Sequence, residues 1–501
     1  MSFHPSGLTT NSPSGKVNPK LEAMGLGPVL TQRIPCWPYA DPKGRHIVSI
    51  DEYLKTGGYE GLRKALTMKP DAVTEEVKKS VLRGRGGAGF PTGLKWTFLP
   101  KLASDENGNE ADPGQRYLAV NADESEPGTF KDRLLMDFDP HLMLEGIAIA
   151  CYACRIKTAF VFIRGEYHHQ AHVVENAIKE AYAKGIFGTS SVSGTPSLRE
   201  GSILGGFKDH TANSKPFHVE CYLHRGAGAY ICGEETGLLE ALEGKRGWPR
   251  IKPPFPAVKG LFGKPTIINN VETLAHLPSI ISNSAEWFAK QGVASTFQGA
   301  PGSFGTKLMG VSGHVNRPGC YECELGIPLR VLVEELCGGI RNGKKFKGAI
   351  AGGVSMGILG PDQYDAEMDF DIGRKYNVLG LGTAGPTIFD EDTNMVAVAR
   401  NIARFFKHES CGQCTPCREG SGWLYQLMGR IEEGNAKTKD LDLALEIATS
   451  MGSMPGTTIC GLADGNNWAI RTIMNKYWNE FEKRVKPTFV AVKISVGASA
   501  R

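Results

Sequence analysis

The sequence predicts an α/β fold in which a parallel-sheet domain precedes a small β-rich module and a helical region. Between about residues 81 and 290, strand-like and helix-like segments alternate, which is the pattern of a parallel sheet with crossover helices. Between about 300 and 385, glycines, prolines and short β segments surround one short helix, which indicates a β-grasp-like module. Between about 390 and 485 the apolar spacing is helical, and this part carries a compact run of cysteines.

The individual elements follow from local patterns along the chain. Residues 1–80 are predicted to form an N-terminal extension with short helices at 51–66 and 73–82. In the α/β part we predict strands at 116–121, 159–164 and 217–223 and helices at 140–154, 166–184 and 228–242. The β-rich part is predicted to contain strands at 306–315 and 349–351 and a helix at 328–336. Helices at 395–408, 418–433, 441–450 and 467–484 follow, and residues 486–501 form a tail.

The composition excludes several classes of function. The 501 residues include 41% hydrophobic and 22% charged residues, and the formal charge of +4 is too small for a nucleic-acid-binding surface. No apolar run reaches the roughly 20 residues that a membrane span needs, so we expect no direct membrane insertion. The twelve cysteines are scattered, which is typical of a reducing compartment. Pro5, Pro13 and Pro19 interrupt the first 20 residues, which we interpret as a flexible extension and not a targeting helix.

Four cysteines in the helical part have the spacing of iron–sulfur ligands. Cys411, Cys414 and Cys417 lie in one seven-residue run, and Cys460 follows 43 residues later. A Cys-x-x-Cys-x-x-Cys run with one remote cysteine supplies the four thiolates of a cubane cluster, whereas structural zinc more often uses two separated pairs. Closing the loop costs roughly 3 kcal/mol, and metal–thiolate binding supplies on the order of 10 kcal/mol. We therefore predict a [4Fe–4S] cluster, with a zinc knuckle or free buried thiols as alternatives.

Residues 84–89, which read G-R-G-G-A-G, match the dinucleotide-binding pattern G-x-G-x-x-G. That pattern should follow a strand, but the preceding segment 74–82 is predicted to be helical, so the motif alone is equally well explained by a tight loop. Glycines there would let the backbone approach a ligand and present amides to phosphate. Lys95 lies nearby, and Phe90 and Phe98 offer faces for stacking a base, with core packing as the alternative for both rings.

Acidic and amide side chains follow the first predicted strand of the α/β part. Ligands bind at the carboxyl ends of strands in open α/β sheets, and carboxylates and amides suit hydrogen bonds to hydroxyl groups or a carboxamide. The residues at this position are Asn121, Asp123, Glu124 and Glu126.

A second polar segment, residues 226–236, opens a later helix and contains Glu234 and Glu235. Interaction with the helix dipole, worth roughly 0.3–1 kcal/mol, explains part of their presence. Residues 244–271 then carry six basic side chains and no acid, which suits a phosphate, an acidic partner surface or a solvated loop.

These segments, in this order, resemble the family of flavin-carrying, NADH-oxidising subunits of respiratory complex I, known as the F type. The matching stretches are RGRGGAGFPTGLKW from Arg83, NADESEPGTFKDR from Asn121, GAGAYICGEETGLLEALEGKRGWPRIKPPFPA from Gly226, NNVET from Asn269 and HESCGQCTPCREG from His408. The resemblance covers about residues 45 to 485. Mitochondrial members usually have Gly at the position of Ser125 and Cys at the position of Phe130, so the resemblance favours a bacterial form.

The resemblance implies an architecture and a set of site residues. Residues 81–290 would be a Rossmann-like domain for FMN and NADH, 300–385 a ubiquitin-like (β-grasp) domain, and 390–485 a helical bundle carrying the [4Fe–4S] cluster. The residues implied around FMN are Gly84, Arg85, Gly86, Gly87, Lys95, Asn121, Asp123, Glu124, Tyr230, Gly233, Glu235, Asn269, Asn270 and Thr273. NADH would stack over the flavin, with its adenine near Phe90, Phe98 and Phe255. Its nicotinamide end would lie near Glu126 and Glu234, the implied catalytic residues.

The resemblance also implies the reaction and the partners. NADH would give hydride to FMN, and single electrons would pass to the cluster and then to partner subunits toward quinone. The expected partners are the thioredoxin-like [2Fe–2S] subunit and the large multi-cluster iron–sulfur subunit of complex I. The expected location is the bacterial cytoplasm, in the peripheral arm at the cytoplasmic face of the inner membrane, with the mitochondrial matrix side as the alternative.

Two other functions remain open from the sequence. A diaphorase subunit of an NAD-linked hydrogenase or formate dehydrogenase shares these motifs, but many such subunits carry an additional cysteine run, which residues 461–501 lack, so we favour complex I. A zinc-bound scaffold that docks partners is the alternative from another class. The pairs Cys151/Cys154 and Cys320/Cys323 are predicted not to be functional sites, because the first lies in an apolar helix and the second has no complete ligand set nearby.

Overall fold

The computed structural model of the chain describes residues 28–34, 46–103, 111–188, 218–453 and 456–487. They belong to two compact units, Met1–Thr393 and Asn394–Arg501. The first unit contains all of the described strands, and the described part of the second is helical. The predicted flexible extension, residues 1–20, and most of the predicted tail, from residue 488 onward, lie outside the described residues.

Four short helices precede the parallel sheet, namely α1 (Ile50–Lys55), α2 (Glu60–Thr67), α3 (Pro70–Lys79) and α4 (Thr92–Trp96). The helix predicted at 51–66 is therefore two helices. The break occurs because Gly57 has a φ of +85°, and because a Cβ on Gly58 would lie 2.0 Å from the ring of Tyr53. The glycine loop at 84–89 follows α3, so it comes after a helix, as predicted.

The strands β1 (Tyr117–Ala122), β2 (Thr158–Ile163), β3 (Glu220–Arg225) and β4 (Thr266–Asn270) form one parallel sheet in the order β3-β2-β1-β4. This confirms the predicted parallel α/β sheet. The strand predicted at 217–223 begins at Glu220, and β4 was not predicted as a strand. Asn121 pairs with Asn270 and Ala122 with Ile163, so the strands end together and their polar continuations share one edge of the sheet.

Seven helices accompany this sheet in the described residues, namely α5 (Lys131–Phe138), α6 (Pro140–Cys154), α7 (His168–Ala183), α8 (Glu235–Leu242), α9 (Val271–Ala275), α10 (Leu277–Asn283) and α11 (Ala285–Ala289). The helix predicted at 228–242 is a 3₁₀ turn, Tyr230–Gly233, followed by α8. All 15 residues of α6 are buried. Its carboxylate, Glu145, accepts hydrogen bonds from the Tyr53 hydroxyl and the Tyr59 amide at 2.6 and 2.8 Å, which joins α6 to the N-terminal helices.

The β-rich part begins with a two-stranded pair, β5 (Gly292–Val293) and β6 (Ser303–Phe304). A five-stranded sheet follows, formed by β7 (Thr306–Gly313), β8 (Gly319–Glu324), β9 (Phe346–Ile350), β10 (Ile358–Leu359) and β11 (Thr387–Asp390). Its order is β10-β9-β11-β7-β8, with β11 parallel to β7 and the other pairs antiparallel. The helix predicted at 328–336 is α12 (Leu329–Val331) continued by a π-helical turn, and α13 (Ile372–Tyr376) precedes β11.

Within the first unit, residues 28–34 are held in place by hydrogen bonds to one buried carboxylate. Glu322, on β8, accepts hydrogen bonds from the amides of Val29, Leu30 and Thr31, each at 3.0 Å. Arg33 adds a salt bridge to Asp139 at 3.0 Å. Because an unsatisfied buried carboxylate is costly, Glu322 holds this segment strongly to β8.

The described part of the second unit contains α14 (Met395–Glu409), α15 (Thr415–Glu432), α16 (Thr438–Gly452), α17 (Leu462–Lys476) and α18 (Trp478–Glu482). The helix predicted at 467–484 is thus two helices, and the first of them begins five residues earlier than predicted. Among the residues described, no helix combines the length and the apolar character that crossing a membrane requires.

Candidate functional site

The segment after β1 and the turn before α8 meet at the carboxyl edge of the parallel sheet. The Asn121 amide donates to the Gly233 carbonyl at 2.8 Å, and its oxygen accepts from the Asp123 amide at 3.1 Å. The Ser125 hydroxyl donates to the Asp123 carboxylate at 2.8 Å. Residues separated by 112 positions are therefore held together where ligands bind in open α/β sheets.

The glycine loop lies against the end of β4. A Cβ on Gly86 would lie 3.0 Å from Asn270 Cβ, and Gly87 has a φ of +132°, which favours glycine. The Arg85 amide donates to Thr273 Oγ1 at 2.8 Å. The Arg85 guanidinium is buried and donates to the carbonyls of Phe304 and Thr306 at 2.7 and 3.0 Å. The Arg85 side chain therefore connects the start of the glycine loop, through the Arg83 carbonyl at 3.0 Å, to β6 and β7.

Two lysines and two glutamates form a charged cluster beside this edge. Lys95 Nζ donates to the Ile268 carbonyl at 2.9 Å and lies 3.3 Å from Glu235, while Lys252 Nζ lies 3.0 Å from both Glu234 and Glu235. Burial alone would raise the pKa of Glu235, but Lys95 and Lys252 lower it below its ordinary value. Glu235 is therefore an ionised acceptor. The sequence did not single out Lys252 as a site residue, because the basic residues of its loop look alike in sequence.

Glu234 is the N-cap of α8. Its Oε2 accepts hydrogen bonds from the Thr236 and Gly237 amides at 2.7 and 2.9 Å, and from the Thr236 hydroxyl at 2.5 Å. Glu234 thus stabilises the start of α8, as expected from its position in the sequence. Its catalytic role stays a prediction.

Glu126 joins three distant parts of the chain. Tyr230 donates to its carboxylate at 2.5 Å, and the Ser355 amide and hydroxyl donate at 2.7 and 2.9 Å. Burial raises the pKa of Glu126, against the opposing effect of these three donors. Ser355 was missed by the sequence analysis, because it lies 229 positions from Glu126 in the β-rich part and no motif marks it.

The three predicted aromatic residues present exposed faces. Phe90, Phe98 and Phe255 are 44%, 50% and 57% exposed, and the rings of Phe90 and Phe98 lie 5.9 Å apart. Core packing, the alternative interpretation for Phe90 and Phe98, is therefore excluded. Exposed aromatic faces beside a polar site can stack on a planar base.

The side chains of three other residues predicted to bind the cofactor form hydrogen bonds within the protein. Glu124 accepts from the Asp132 and Arg133 amides at 2.8 and 2.9 Å, at the N-terminus of α5. Asn269 Oδ1 accepts from the Trp96 indole at 3.0 Å. Asn270 donates to Asp132 at 2.7 Å and accepts from Lys131 at 3.2 Å. These side chains form the frame of the site, and their direct contact with a ligand stays a prediction.

A buried charged network lies behind Asn270. Lys131 contacts Asp132 at 2.7 Å and Glu272 at 3.0 Å, and Lys307 contacts Glu272 at 2.5 Å. Burial alone would raise the pKa of Glu272, but Lys307, Lys131 and Arg85 lower it to about 2. Burial lowers the pKa of Lys307 to about 8, against the opposing effect of Glu272.

We expect Glu272 to make the fold sensitive to acid. Because its pKa falls from 4.5 to about 2 on folding, its ionisation stabilises the fold above about pH 4.5, and this contribution disappears as the pH falls toward 2. The linkage is worth on the order of 3 kcal/mol. Glu272→Gln should therefore be less stable than the wild type at pH 7, and the two should converge between pH 4.5 and 2. Denaturant unfolding followed by circular dichroism across this range tests it, and a pH-independent difference would contradict it.

The second unit brings the cysteine run and Cys460 together. Cys411 follows α14, Cys414 caps α15, Cys417 lies in its first turn, and Cys460 precedes α17. The Ile459 amide donates to Cys414 Sγ at 3.4 Å, which places the segment of Cys460 against the run. The N-termini of α15 and α17 both lie here, and their dipoles favour an anionic group.

The donor set fits an iron–sulfur cubane. All four thiols are free of disulfides, and burial, with the neighbouring Cys411 and Cys414, raises the pKa of Cys417 against the effect of Ser410. In the described parts of the chain, no group of three or more His, Cys, Asp or Glu side chains is arranged around a single metal centre. Each thiolate of a cubane binds a separate iron, so its sulfurs lie farther apart than those around one zinc ion.

The two other cysteine pairs are enclosed by the core. Cys151 and Cys154 lie in α6, and Cys320 and Cys323 lie in β8, all of them buried. Burial raises the pKa of all four thiols, which keeps them protonated and unreactive. That neither pair is a functional site stays a prediction.

Comparison with known proteins places the chain in a family. Family models match in three segments, described as the Nuo51 FMN-binding domain (residues 77–279), the SLBB domain (308–359) and the NADH-ubiquinone oxidoreductase-F iron–sulfur binding region (397–484). An F-type NADH-quinone oxidoreductase protein of Rhizobium meliloti is 45% identical over 442 residues, covering 88% of this chain and 95% of the relative. The chain belongs to the NADH-quinone oxidoreductase-F family. These matches confirm the predicted resemblance and the predicted FMN, NADH and [4Fe–4S] cofactors.

Relatives of this family come from mitochondria as well as bacteria. NADH dehydrogenase [ubiquinone] flavoprotein 1, mitochondrial, of Dictyostelium discoideum is 43% identical over 445 residues, covering 88% of this chain and 85% of the relative. Among solved structures, an NAD⁺-reducing [NiFe]-hydrogenase in the air-oxidised state matches with a TM-score of 0.71 and 31% identity, covering 89% of this chain and 69% of that chain. The fold is thus shared with an enzyme that handles a nicotinamide cofactor.

Proposed function

We propose that this chain is the NADH-oxidising subunit of respiratory complex I. The observation that carries the proposal is the convergence of the glycine loop, the acidic segment after β1 and the turn before α8 on one edge of a parallel sheet. Hydrogen bonds that span 188 and 112 positions of the chain hold these segments together. When FMN is bound there, it accepts the two electrons of a hydride and releases them singly, as transfer to a [4Fe–4S] cluster requires.

The flavin side of the site consists of backbone amides and fixed polar groups. Gly84, Gly86 and Gly87 would present backbone to the ligand, and Lys95 would supply positive charge for its phosphate. Asn121, Asp123 and Gly233, already held to one another, would face the ribityl chain and ring. The predicted ligands Glu124, Tyr230, Glu235, Asn269, Asn270 and Thr273 would complete the site, with Arg85 contributing through its backbone.

The nicotinamide side of the site consists of exposed rings and two carboxylates. Phe90, Phe98 and Phe255 would stack on the adenine of NADH. Glu126, oriented by Tyr230 and Ser355, would contact the nicotinamide end and set the angle at which it meets the flavin. Glu234 would act beside it through the carboxylate oxygen that Lys252 holds.

The second unit would pass electrons onward. Cys411, Cys414, Cys417 and Cys460 would ligate the [4Fe–4S] cluster, and the partners would be the thioredoxin-like [2Fe–2S] subunit and the large multi-cluster subunit of complex I. The chain would lie in the peripheral arm, at the cytoplasmic face of a bacterial inner membrane. The F-type relatives from bacteria support this placement.

The domain boundaries and the finer fold assignments are part of the proposal. We assign 1–80 to the N-terminal extension and short helices, 81–290 to a Rossmann-like domain, 300–385 to a β-grasp domain, 390–485 to a helical bundle and 486–501 to a tail. A β-hairpin, a short helix and three further strands, with β11 parallel to β7 at the centre, support the β-grasp assignment. Packing of α14 and α16 on α17 supports the bundle.

A diaphorase subunit of an NAD-linked hydrogenase is the second candidate. The match to an NAD⁺-reducing [NiFe]-hydrogenase supports it. The two candidates share hydride transfer to FMN and differ in the partner that accepts the electrons.

Titration of the purified chain with NADH, together with its [2Fe–2S] partner, tests the proposal. We expect flavin bleaching in the visible spectrum together with the low-temperature EPR signal of a reduced [4Fe–4S] cluster, recorded separately from that of the partner's [2Fe–2S] cluster. Flavin bleaching without that signal would leave a simple diaphorase, and a protein with neither flavin nor iron would refute the proposal.

A further inference from the structure

Two buried lysines from different parts of the fold meet at one carboxylate oxygen. Lys131 is on α5 and Lys307 is on β7, and their Nζ atoms lie 3.0 and 2.5 Å from Glu272 Oε2. The lysines are 1% and 0% exposed, and Glu272 is 0% exposed. Burying an ion costs several kcal/mol before pairing compensates, and apolar replacements of such clusters are often neutral or stabilising. Apolar side chains could therefore stabilise the fold as well as these charges do, so the charged arrangement points to an additional role.

The cluster lies next to residues that we propose bind the flavin. Glu272 stands between Asn270 and Thr273 at the start of α9. Lys131 donates to Asn270 Oδ1 at 3.2 Å, and Asp132 accepts from Asn270 Nδ2 at 2.7 Å, so the orientation of this amide is set from both sides. Thr273 in turn accepts the amide of Arg85, in the glycine loop, at 2.8 Å.

The strand β7 holds both oxygens of Glu272. Lys307 Nζ contacts Oε2, and the Leu308 amide donates to Oε1 at 2.8 Å. Among the described residues, removing the Lys307 ammonium would leave Lys131 as the only cation on Oε2. The stronger pull of Glu272 would then draw Lys131 away from Asn270. No group of this cluster reaches the surface, so none can contact a diffusing ligand by itself.

We propose that Lys307 is a positioning residue for the flavin site, because through Glu272 it fixes Asn270, Thr273 and the glycine loop. Lys307 thereby links the five-stranded sheet, through β7, to the flavin-binding edge of the parallel sheet. This inference rests on the flavin site proposed above. Lys307 acts through other residues and does not touch substrate or cofactor. Because a buried positive charge also favours electron uptake nearby, its loss should affect the flavin's potential as well as its affinity.

The test uses the full chain carrying Lys307→Met, which removes the charge and nearly keeps the volume. We expect the FMN dissociation constant, measured by flavin fluorescence quenching, to rise roughly ten- to a hundredfold, as when FMN loses one hydrogen bond to a residue that Lys307 no longer positions. The midpoint potential of the bound flavin should fall. Lys131→Met, which removes the other cation, should act in the same direction and serves as the second variant if Lys307→Met does not fold.

Glu322→Gln is the matched control. Glu322 is a buried carboxylate on β8, where it pairs with Leu308, but its hydrogen bonds go to residues 29–31 and Thr306. We expect a lower melting temperature with the FMN dissociation constant within about twofold of the wild type. In the double variant Lys307→Met/Glu272→Gln, the loss of FMN affinity should be smaller than the product of the single losses, since the two residues act as a unit.

Each outcome decides the matter. Unchanged FMN affinity and potential in Lys307→Met and Lys131→Met, or an equal loss of affinity in Glu322→Gln, would overturn the positioning role and leave the flavin site intact. A wild-type chain that does not bind FMN would overturn the flavin site itself and this inference with it.

Discussion

Replacing Cys417 by alanine should abolish the EPR signal of the reduced [4Fe–4S] cluster, while FMN stays bound and NADH still bleaches the flavin absorbance. Cys417 is 8% exposed in the first turn of α15, and alanine at this position supplies no thiolate. Three remaining thiolates hold a cubane incompletely, and metal–thiolate binding worth on the order of 10 kcal/mol is lost or weakened. The flavin signals should persist because the residues proposed to bind flavin all belong to the first unit.

Cys337→Ala is the control for Cys417→Ala. Cys337 is also buried and free of a disulfide, but it lies in the β-rich part of the first unit. We expect it to keep the EPR signal. An unchanged signal in Cys417→Ala would remove Cys417 from the ligand set, and loss of the signal in both variants would show that the effect is not specific to a ligand.

Replacing Lys95 by methionine should weaken FMN binding roughly ten- to a hundredfold, the effect of losing one charge-assisted hydrogen bond. Lys95 is oriented by the Ile268 carbonyl at 2.9 Å and is 27% exposed, so its ammonium is fixed in direction yet open to a ligand. Lys252 remains on Glu235 in the variant, which limits the damage to the frame of the site. Equilibrium titration of the flavin-free chain with FMN measures the effect, and NADH oxidation at limiting FMN should fall in parallel.

Lys259→Met provides the comparison for Lys95→Met. Lys259 lies in the basic segment 244–271, which also contains Lys252, and its side chain is exposed. We expect its removal to change FMN affinity by no more than about twofold, as for an exposed charge. Equal losses in the two variants would indicate a general effect of positive charge and would remove Lys95 from the site.

Local spacing predicts a site where one short segment of the chain carries the relevant residues. The run Cys411–Cys417 predicts a cluster because three cysteines lie within seven residues, and the Ile459 amide places the segment of Cys460 against this run. The exposed faces of Phe90 and Phe98 and the capping position of Glu234 also agree with their sequence patterns. A motif does not say which way a side chain points, and only the structure shows that the Arg85 guanidinium donates to the Phe304 carbonyl.

Contacts between distant segments could not be predicted in the same way. Ser355 on Glu126, Lys252 on Glu234 and Lys307 on Glu272 each join parts of the chain that no periodicity relates. Asn270 and Glu124 look like ligands in sequence, yet their side chains are engaged by Asp132 and by the amides at the start of α5. A polar side chain in a motif can form hydrogen bonds to a ligand, to the rest of the protein or to both, and the sequence alone does not distinguish these cases.

By itself, the sequence determined the class of this protein: a parallel α/β domain, a β-rich part, a helical cluster-binding part and the family to which these belong. The alternation of strands and helices, the helical spacing of apolar residues and the spacing of cysteines are local patterns. They can therefore be recognised in the sequence alone. The tertiary structure alone decided which charges are paired, which carboxylates are ionised and which residues orient the site. Those properties depend on burial and on contacts between residues up to 229 positions apart in the sequence, and these contacts exist only in the folded chain.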